Sequence, residues 1–536
     1  MNIGKTLEES PGKFGVYDFV HDGGRWYTNV DLLKMSNQLG NALKSLGVKK
    51  GDRVAVQTLN CIEVFAAYSA IYRMGAIAVP MMPMLRPDQI AYIYKDMGAR
   101  VTLTSILFLP WIREAQKTAT DLKHIILVDK DGEAGTLYFP KLISEQSDEM
   151  ACVDMDNDDV AAIIYTSGTT GGNPKGVMLT HYTLWINAIC MQENGMRAQA
   201  TTIRDSIREF DTARFKHREV PREVTGIDRS ATNLAVLPLA HSYGLSIMNF
   251  VSLLGGRFVI MKMFNPGEAL KMIQDFRIGF LTLVPTMFVM LMDHPDFDKY
   301  DLSSLRACVC GAAPMDPGMG PKWREKTGCH ITEGYGMSES GGAGGTANDP
   351  PREPKYGSVG FPGFVTLQVK VFDNDDKELP VGVEGELVMK GPNIMKGYWN
   401  MPEETAKTIV NGWLHTGDLG YKDEDGYFYV TGRKKDLIIR GGENVSPMEV
   451  EDVVCKFPKV AEAGCVGIKD RVYGEEIKVF VVLKKGETCT EAEIIEYCKP
   501  HLPKYKMPKQ VQFMEALPKN MLGKILRAEL RKLEEK

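Results

Sequence analysis

The chain has 536 residues, 44 % of them apolar and 25 % charged, with 64 basic against 69 acidic side chains and a net charge of −5. That length exceeds one compact core and predicts at least two domains, while the near-balanced charge leaves no positive field to hold nucleic acid. No apolar run reaches the roughly 18–20 residues needed to span a bilayer, because the best candidate, residues 64–84, is broken by Tyr68, Tyr72, Arg73 and Pro80.

Met1 to Lys5 carries no apolar leader pattern, so a secretory signal is not expected. Residues 30–46 repeat apolar side chains at helical spacing and stop at Gly47. Residues 53–57 read as a strand, 62–74 as a helix, 76–79 as a strand, 87–97 as a helix and 101–104 as a strand. This alternation predicts an α/β fold with a largely parallel sheet and helices on both faces. Further strand-like runs fall at 125–128, 161–165, 234–238, 257–261, 280–285 and 307–310. Residues 193–233 break the rhythm with dense charge of both signs, which predicts a solvated helical excursion, with an interface or a lid as the alternative. Cys308 and Cys310 are the only close pair among ten cysteines. Without histidine partners or tighter clustering, the cysteines are expected to be buried free thiols in a reducing cytoplasm. Residues 357–432 are rich in strands and turns and predict a β-barrel-like subdomain appended to the α/β core. Beyond them, a helix at 448–457, strands at 461–468 and 476–484 and a helix at 491–501 predict a small α+β domain. The expected division is 1–433 and 434–536.

The strongest chemical signal follows the strand at 161–165. Tyr165 to Gly176 reads Tyr-Thr-Ser-Gly-Thr-Thr-Gly-Gly-Asn-Pro-Lys-Gly. Glycines let backbone N–H groups approach a phosphate, hydroxyls donate further hydrogen bonds and the lysine adds charge. The spacing is not that of a Walker A loop, and a flexible surface loop is the alternative, disfavoured because a lysine after proline is unusual in such a loop. A second run, Glu333-Gly334-Tyr335-Gly336-Met337-Ser338-Glu339, sets an aromatic ring able to stack on a base among small residues, then a hydroxyl and a carboxylate. Gly311-Ala312-Ala313 has side chains small enough to leave room beside a base. Asp418 stands in a Thr-Gly-Asp turn, a glycine-rich basic run extends from Arg433 to Pro447, and Lys524 lies close to a basic C-terminus. His241 and Tyr243 fall in an otherwise apolar Leu-Pro-Leu-Ala-His-Ser-Tyr-Gly run.

In this order, and over roughly residues 27–531, these segments resemble the adenylate-forming superfamily: acyl-CoA synthetases, firefly-luciferase-like enzymes and nonribosomal-peptide adenylation domains. The resemblance implies that Thr166, Ser167, Gly168, Thr169, Thr170 and Lys175 cradle the phosphates of ATP. One departure is visible, since Gly172 and Asn173 stand before Pro174-Lys175 where the family usually has a single residue. By resemblance, Gly311, Ala312, Ala313, Glu333, Gly334, Gly336 and Met337 surround adenine, Tyr335 stacks on it and Ser338 meets the α-phosphate. Glu339 would hold Mg²⁺, a cation that takes few protein carboxylates and several phosphate oxygens. Asp418 would accept from the ribose hydroxyls, with Arg433 beside it. Lys435 matches the hinge between domains, and Gly442 a glycine that lets pantetheine pass. Gly441 stands where some coumarate-type ligases carry a lysine, and Arg440 is a candidate to replace that contact with coenzyme A. Lys524 matches the catalytic lysine and His241 a residue at the pocket mouth.

Tyr243, Met337 and Gly342 are expected to line the acyl pocket with His241. No cation awaits a second carboxylate there, so an apolar monocarboxylic acid (fatty, alicyclic or aromatic) is expected. The reading is therefore an AMP-forming acyl-CoA ligase that uses ATP, Mg²⁺ and coenzyme A in the cytoplasm, with no nucleic-acid partner and with a homodimer left open. Two alternatives stand beside it: an acyl-AMP ligase that loads a carrier protein, and a nucleotide-binding protein without catalysis.

Overall fold

The alternating signals near the N-terminus become half of a large α/β unit in the computed structural model, which describes residues 1–166, 173–189, 232–348, 354–363, 367–520 and 523–534. Thr28 starts the helix Asn29–Ser45 by accepting from the Asp31 N–H, and Asp31 answers by accepting from the Thr28 N–H, so two otherwise orphaned donors are satisfied at once. Helices Ile62–Arg73 and Pro87–Met97 then separate parallel strands Arg53–Gln57, Ile77–Pro80 and Val101–Thr104. The full sheet has eight strands, in the order Gly397–Tyr398, Lys175–Thr180, Val160–Thr166, Ile77–Pro80, Arg53–Gln57, Val101–Thr104, His124–Leu127 and Leu137–Tyr138. Lys175–Thr180 runs antiparallel to both of its neighbours. Lys175 and Gly176 therefore belong to a strand, a correction to their reading as loop.

A second sheet has nine strands. Asp18–Asp22, Arg257–Ile260, Thr232–Ala235, Phe280–Leu283, Ala307–Cys310 and Ile331–Tyr335 are parallel at its centre, and short antiparallel strands close its ends. Fully buried strands of this kind read as continuous apolar runs. The core beside this sheet is filled by Trp323, whose ring meets Phe288 edge-on at 4.9 Å. Pro285 opens the helix Pro285–Met292 rather than ending a strand, as a proline tolerated in the first turn does. The charged segment expected at 193–233 lies mostly outside the described residues. Its last two residues, Thr232 and Asn233, are buried in a strand, and the Asn233 amide donates to Phe280 O.

Residues 368–433 form a five-stranded sheet in the order Gln368–Phe372, Gly385–Lys390, Trp413–Lys422 and Ile409–Val410, with Phe428–Arg433 also paired to Trp413–Lys422. The chain divides into two compact units, and Val369–Val388 and His415–Lys536 fall in the second. In that unit, Glu443–Val445, Ile438–Arg440, Gly474–Leu483 and Val460–Asp470 form an antiparallel sheet, to which Gln510–Phe513 adds in parallel. Helices Pro447–Cys455, Glu491–Cys498 and Arg527–Lys532 accompany it, giving the expected α+β character. Nine cysteines among the described residues are free thiols. No helix among the described residues is long and apolar enough to cross a membrane.

Candidate active site

In the first unit, three segments far apart in sequence meet at the C-terminal ends of parallel strands, where open α/β sheets carry their ligand crevices. Strand Ala307–Cys310 delivers Gly311, strand Ile331–Tyr335 delivers Gly334, and helix Ser242–Leu253 presents Tyr243. A methyl group built on Gly311 would lie 3.4 Å from both the Tyr243 ring and Gly334 O, so glycine sets how closely these segments approach. Ala312 has φ +68°, a left-handed backbone that strains a residue with a side chain and that persists where the surroundings enforce it. His241 caps helix Ser242–Leu253: its Nδ1 accepts from the Tyr243 N–H at 3.2 Å, so a neutral ring carries its proton on Nε2.

The turn after Tyr335 is tightly tied. Met337 O accepts from the N–H groups of Ser340 and Gly342, and the Met337 N–H donates to Ser340 Oγ. Gly341 and Gly342 both have positive φ, and a Cβ on Gly342 would meet Ser242 O at 2.4 Å. Ser338 Oγ donates to Ser242 Oγ at 3.1 Å, which joins the expected phosphate hydroxyl to the helix beside His241. Ser246 Oγ binds Ser242 O and Gly341 O, each at 2.8 Å. The Asn393 amide donates to Ser340 O at 3.1 Å and to Gly344 O. Glu333 is buried and accepts from the Gly357 N–H; burial pushes its carboxyl up to about 7 against that hydrogen bond.

Thr166 ends strand Val160–Thr166, and its hydroxyl reaches Lys175 O at 3.5 Å. Ser167, Gly168, Thr169 and Thr170 lie outside the described residues. Lys175 Nζ pairs with Glu404 Oε2 at 2.7 Å and sits 5.0 Å from the centre of the Tyr398 ring. Lys175 and Lys407 hold the Glu404 carboxyl down to about 2. Glu339 accepts from the Tyr398 hydroxyl at 2.8 Å. Among the described residues no three histidine, cysteine or carboxylate side chains converge on a point. Glu339 could supply one hard oxygen ligand, which would suit a Mg²⁺ ion that arrives with a nucleotide and takes its remaining ligands from phosphate and water.

The second unit brings three more of the expected residues together. Asp418, 2 % exposed, pairs with Arg433 opposite it on the neighbouring strand, Oδ1 to Nε 2.6 Å. Thr416 Oγ1 accepts from the Asp418 N–H and itself donates to Leu387 O, so the Thr-Gly-Asp turn is locked. Lys524 lies in a tight turn in which Asn520 Oδ1 accepts from the Lys524 N–H and Gly523 takes φ +75°. Burial, followed by the nearby Arg433, pulls the Lys524 ammonium down to about 8, while Asp418 and Asp436 act the other way. Catalytic lysines are commonly tuned toward neutrality in this manner.

The remaining expected positions are distributed differently. Lys435 is exposed in a turn, and the next residue, Asp436, is buried against Arg527 and Arg531. Arg440 gives both of its forked donors to Glu476, at 2.7 and 2.8 Å, and stacks over Tyr473 at 4.5 Å. Its guanidinium is thus engaged within its own sheet. Gly441 and Gly442 form the two-residue turn of the hairpin that joins Ile438–Arg440 to Glu443–Val445, both with positive φ. Sequence reasoning passed over Ser242, Ser246, Asn393 and Tyr398. Their signals were weak because each meets its partner only across a large separation in sequence, and Tyr398 lies in a strand of two residues.

A family model described as AMP-binding enzyme matches residues 6–399, and one described as AMP-binding enzyme C-terminal domain matches residues 449–524. The long-chain-fatty-acid–CoA ligase of Bacillus subtilis (strain 168) is 33 % identical, with 98 % of this chain and 93 % of the relative covered. The feruloyl-CoA synthase of an Amycolatopsis species is 33 % identical over 96 % of this chain and 95 % of its own. The crystal structure of an anthranilate CoA ligase in complex with anthranoyl-AMP gives a TM-score of 0.86 at 28 % identity, covering 100 % of this chain and 97 % of that one. The fold of this chain matches that structure, with a large N-terminal domain of parallel sheets and a smaller C-terminal domain.

Proposed function

The chain belongs to the AMP-binding enzyme family, and we propose from that premise how its residues divide the reaction. It is an AMP-forming acid–thiol ligase that uses ATP and coenzyme A. A carboxylate oxygen attacks the α-phosphorus of ATP, the bond to the bridging oxygen breaks, and pyrophosphate leaves. The coenzyme A sulfur then attacks the carbonyl carbon of the acyl-adenylate, and AMP departs.

In the first step the Lys524 ammonium stabilises charge that builds on the phosphate oxygens as the acid approaches. The observation that carries this role is the grouping of Lys524 with Asp418 and Arg433, a partly buried cation beside a buried carboxylate able to hold ribose hydroxyls. Tyr335 and the Gly311–Ala313 segment receive the base, Ser338 the α-phosphate, and the loop from Thr166 to Lys175 the other phosphates. Glu339 would hold Mg²⁺, which would supply positive charge to shield the triphosphate. In the second step the Gly441-Gly442 turn lets pantetheine pass close to backbone, with Lys435 as the hinge position. Arg440 shapes that turn through Glu476. His241 stands at the mouth of the acid site with Nε2–H as its donor. The domain boundary falls at 433/434.

The acid is an apolar monocarboxylate, fatty, alicyclic or aromatic. Supporting this are the Tyr243 ring and Gly334 O, each 3.4 Å from where a methyl group on Gly311 would stand, a surface of carbon and backbone. The nine free thiols support a reducing, cytoplasmic setting. A panel of acids assayed for AMP and thioester formation, with and without coenzyme A, tests the reading. Monoacids should give the highest kcat/KM and thioester should require coenzyme A alone. Preference for diacids or amino acids would overturn the acid class, and a need for a carrier protein would overturn coenzyme A as acceptor.

A further inference from the structure

Tyr398 is a buried phenol that touches both Glu339 and Lys175. It sits on the edge strand Gly397–Tyr398, paired antiparallel with the strand that begins at Lys175, Tyr398 opposite Val177. Its hydroxyl donates to Glu339 Oε1 at 2.8 Å. A phenol has one proton to give, and here that proton goes to Glu339. The ring is pinned as well, since Lys175 Nζ lies 5.0 Å from its centre and is itself held by Glu404. The Tyr398 N–H donates to Thr405 Oγ1 at 2.8 Å, and the Met395 N–H donates to Glu339 O at 2.8 Å, so the backbones carrying both partners are fixed too.

We propose that Tyr398 is a positioning residue for the metal-bearing carboxylate: by occupying Oε1 it turns Glu339 to offer Oε2 alone to a divalent cation. The proposal rests on the reading of Glu339 as the Mg²⁺ ligand. Mg²⁺ demands near-octahedral geometry at short range, and a carboxylate free to rotate between one- and two-oxygen contacts meets that demand poorly. Partners that orient a ligand commonly contribute 10–100-fold to metal affinity. The same arrangement couples the exit of the phosphate loop to the metal carboxylate, because Lys175 and Glu339 grip opposite parts of one side chain.

Mn²⁺ serves as the probe, titrated into the full-length protein with ATP but without acid and followed by electron paramagnetic resonance, so that no turnover is needed. Tyr398→Phe keeps the ring and its place beside Lys175 and removes only the hydroxyl. It should weaken Mn²⁺ about 10-fold and leave metal-free ATP affinity unchanged. In turnover it should raise the half-saturating Mg²⁺ concentration more than it lowers kcat at saturating metal. Glu339→Gln is run in parallel. If Glu339→Gln weakens Mn²⁺ and Tyr398→Phe does not, the positioning role is overturned while the ligand reading stands. If Glu339→Gln leaves Mn²⁺ untouched, the ligand reading itself falls. Should Tyr398→Phe fail to fold, Tyr398→Leu decides: weaker Mn²⁺ binding supports the role, and unchanged binding refutes it.

Discussion

Lys524 must be positively charged to help a carboxylate approach a phosphate, yet its surroundings hold it down to about 8. The free enzyme should therefore lose kcat/KM for ATP as pH rises through about 8, whereas a solvated lysine would remain charged to about 10.4. Bound triphosphate adds negative charge, so kcat should persist to higher pH than kcat/KM. A kcat/KM profile flat to pH 10 would contradict the assignment. In stability terms the sign is unfavourable: a depressed lysine destabilises the fold below about pH 8 and ceases to do so once the unfolded chain also deprotonates. Glu333 gives the complementary case. Burial raises its carboxyl to about 7, so the folded chain binds more protons than the unfolded one between the ordinary carboxylate range and neutrality. Stability present at acidic pH is lost as pH rises through about 7. Glu333→Gln should thus raise the melting temperature more at pH 8 than at pH 5, and an equal change at both would argue that the carboxyl is not the charged group in question.

Elements with a clean period were legible from the sequence, and those built on a single long-range partner were not. The pattern at 87–97 and at 101–104 coincides with Pro87–Met97 and Val101–Thr104, because a proline start, a glycine stop and a run of β-favouring residues carry their own boundaries. Lys175–Thr180 was hidden, since its first residues continue a glycine-rich loop and only pairing with Val160–Thr166 and Gly397–Tyr398 makes it a strand. For the proposed site, Asp418, Glu339 and Lys524 stand out in the sequence through the motifs around them, whereas Ser242 and Tyr398 gain meaning only from the partners the fold places beside them. Arg440 reads in the sequence as a candidate coenzyme A contact, because Glu476, which engages it, is on another strand. The helix Asn29–Ser45 offers a direct test at this scale. Thr28→Ala removes the side chain that caps it, and should destabilise the N-terminal unit by about 1 kcal/mol, seen as a lower denaturant midpoint, with the KM for ATP unchanged. A shifted KM would mean that this distant helix bears on the site.

Across the whole molecule, the proposed reaction has two chemical steps, each assisted by its own set of groups: in that proposal Lys524 serves the first step and the Gly441-Gly442 turn the second. The decisive measurement separates the two in a Lys524→Ala variant: acyl-adenylate formation from acid and ATP on one side, thioester formation from supplied acyl-adenylate and coenzyme A on the other. Adenylation should fall by about a hundred-fold or more while thioester formation stays near the parent rate. An equal loss in both steps would contradict the account.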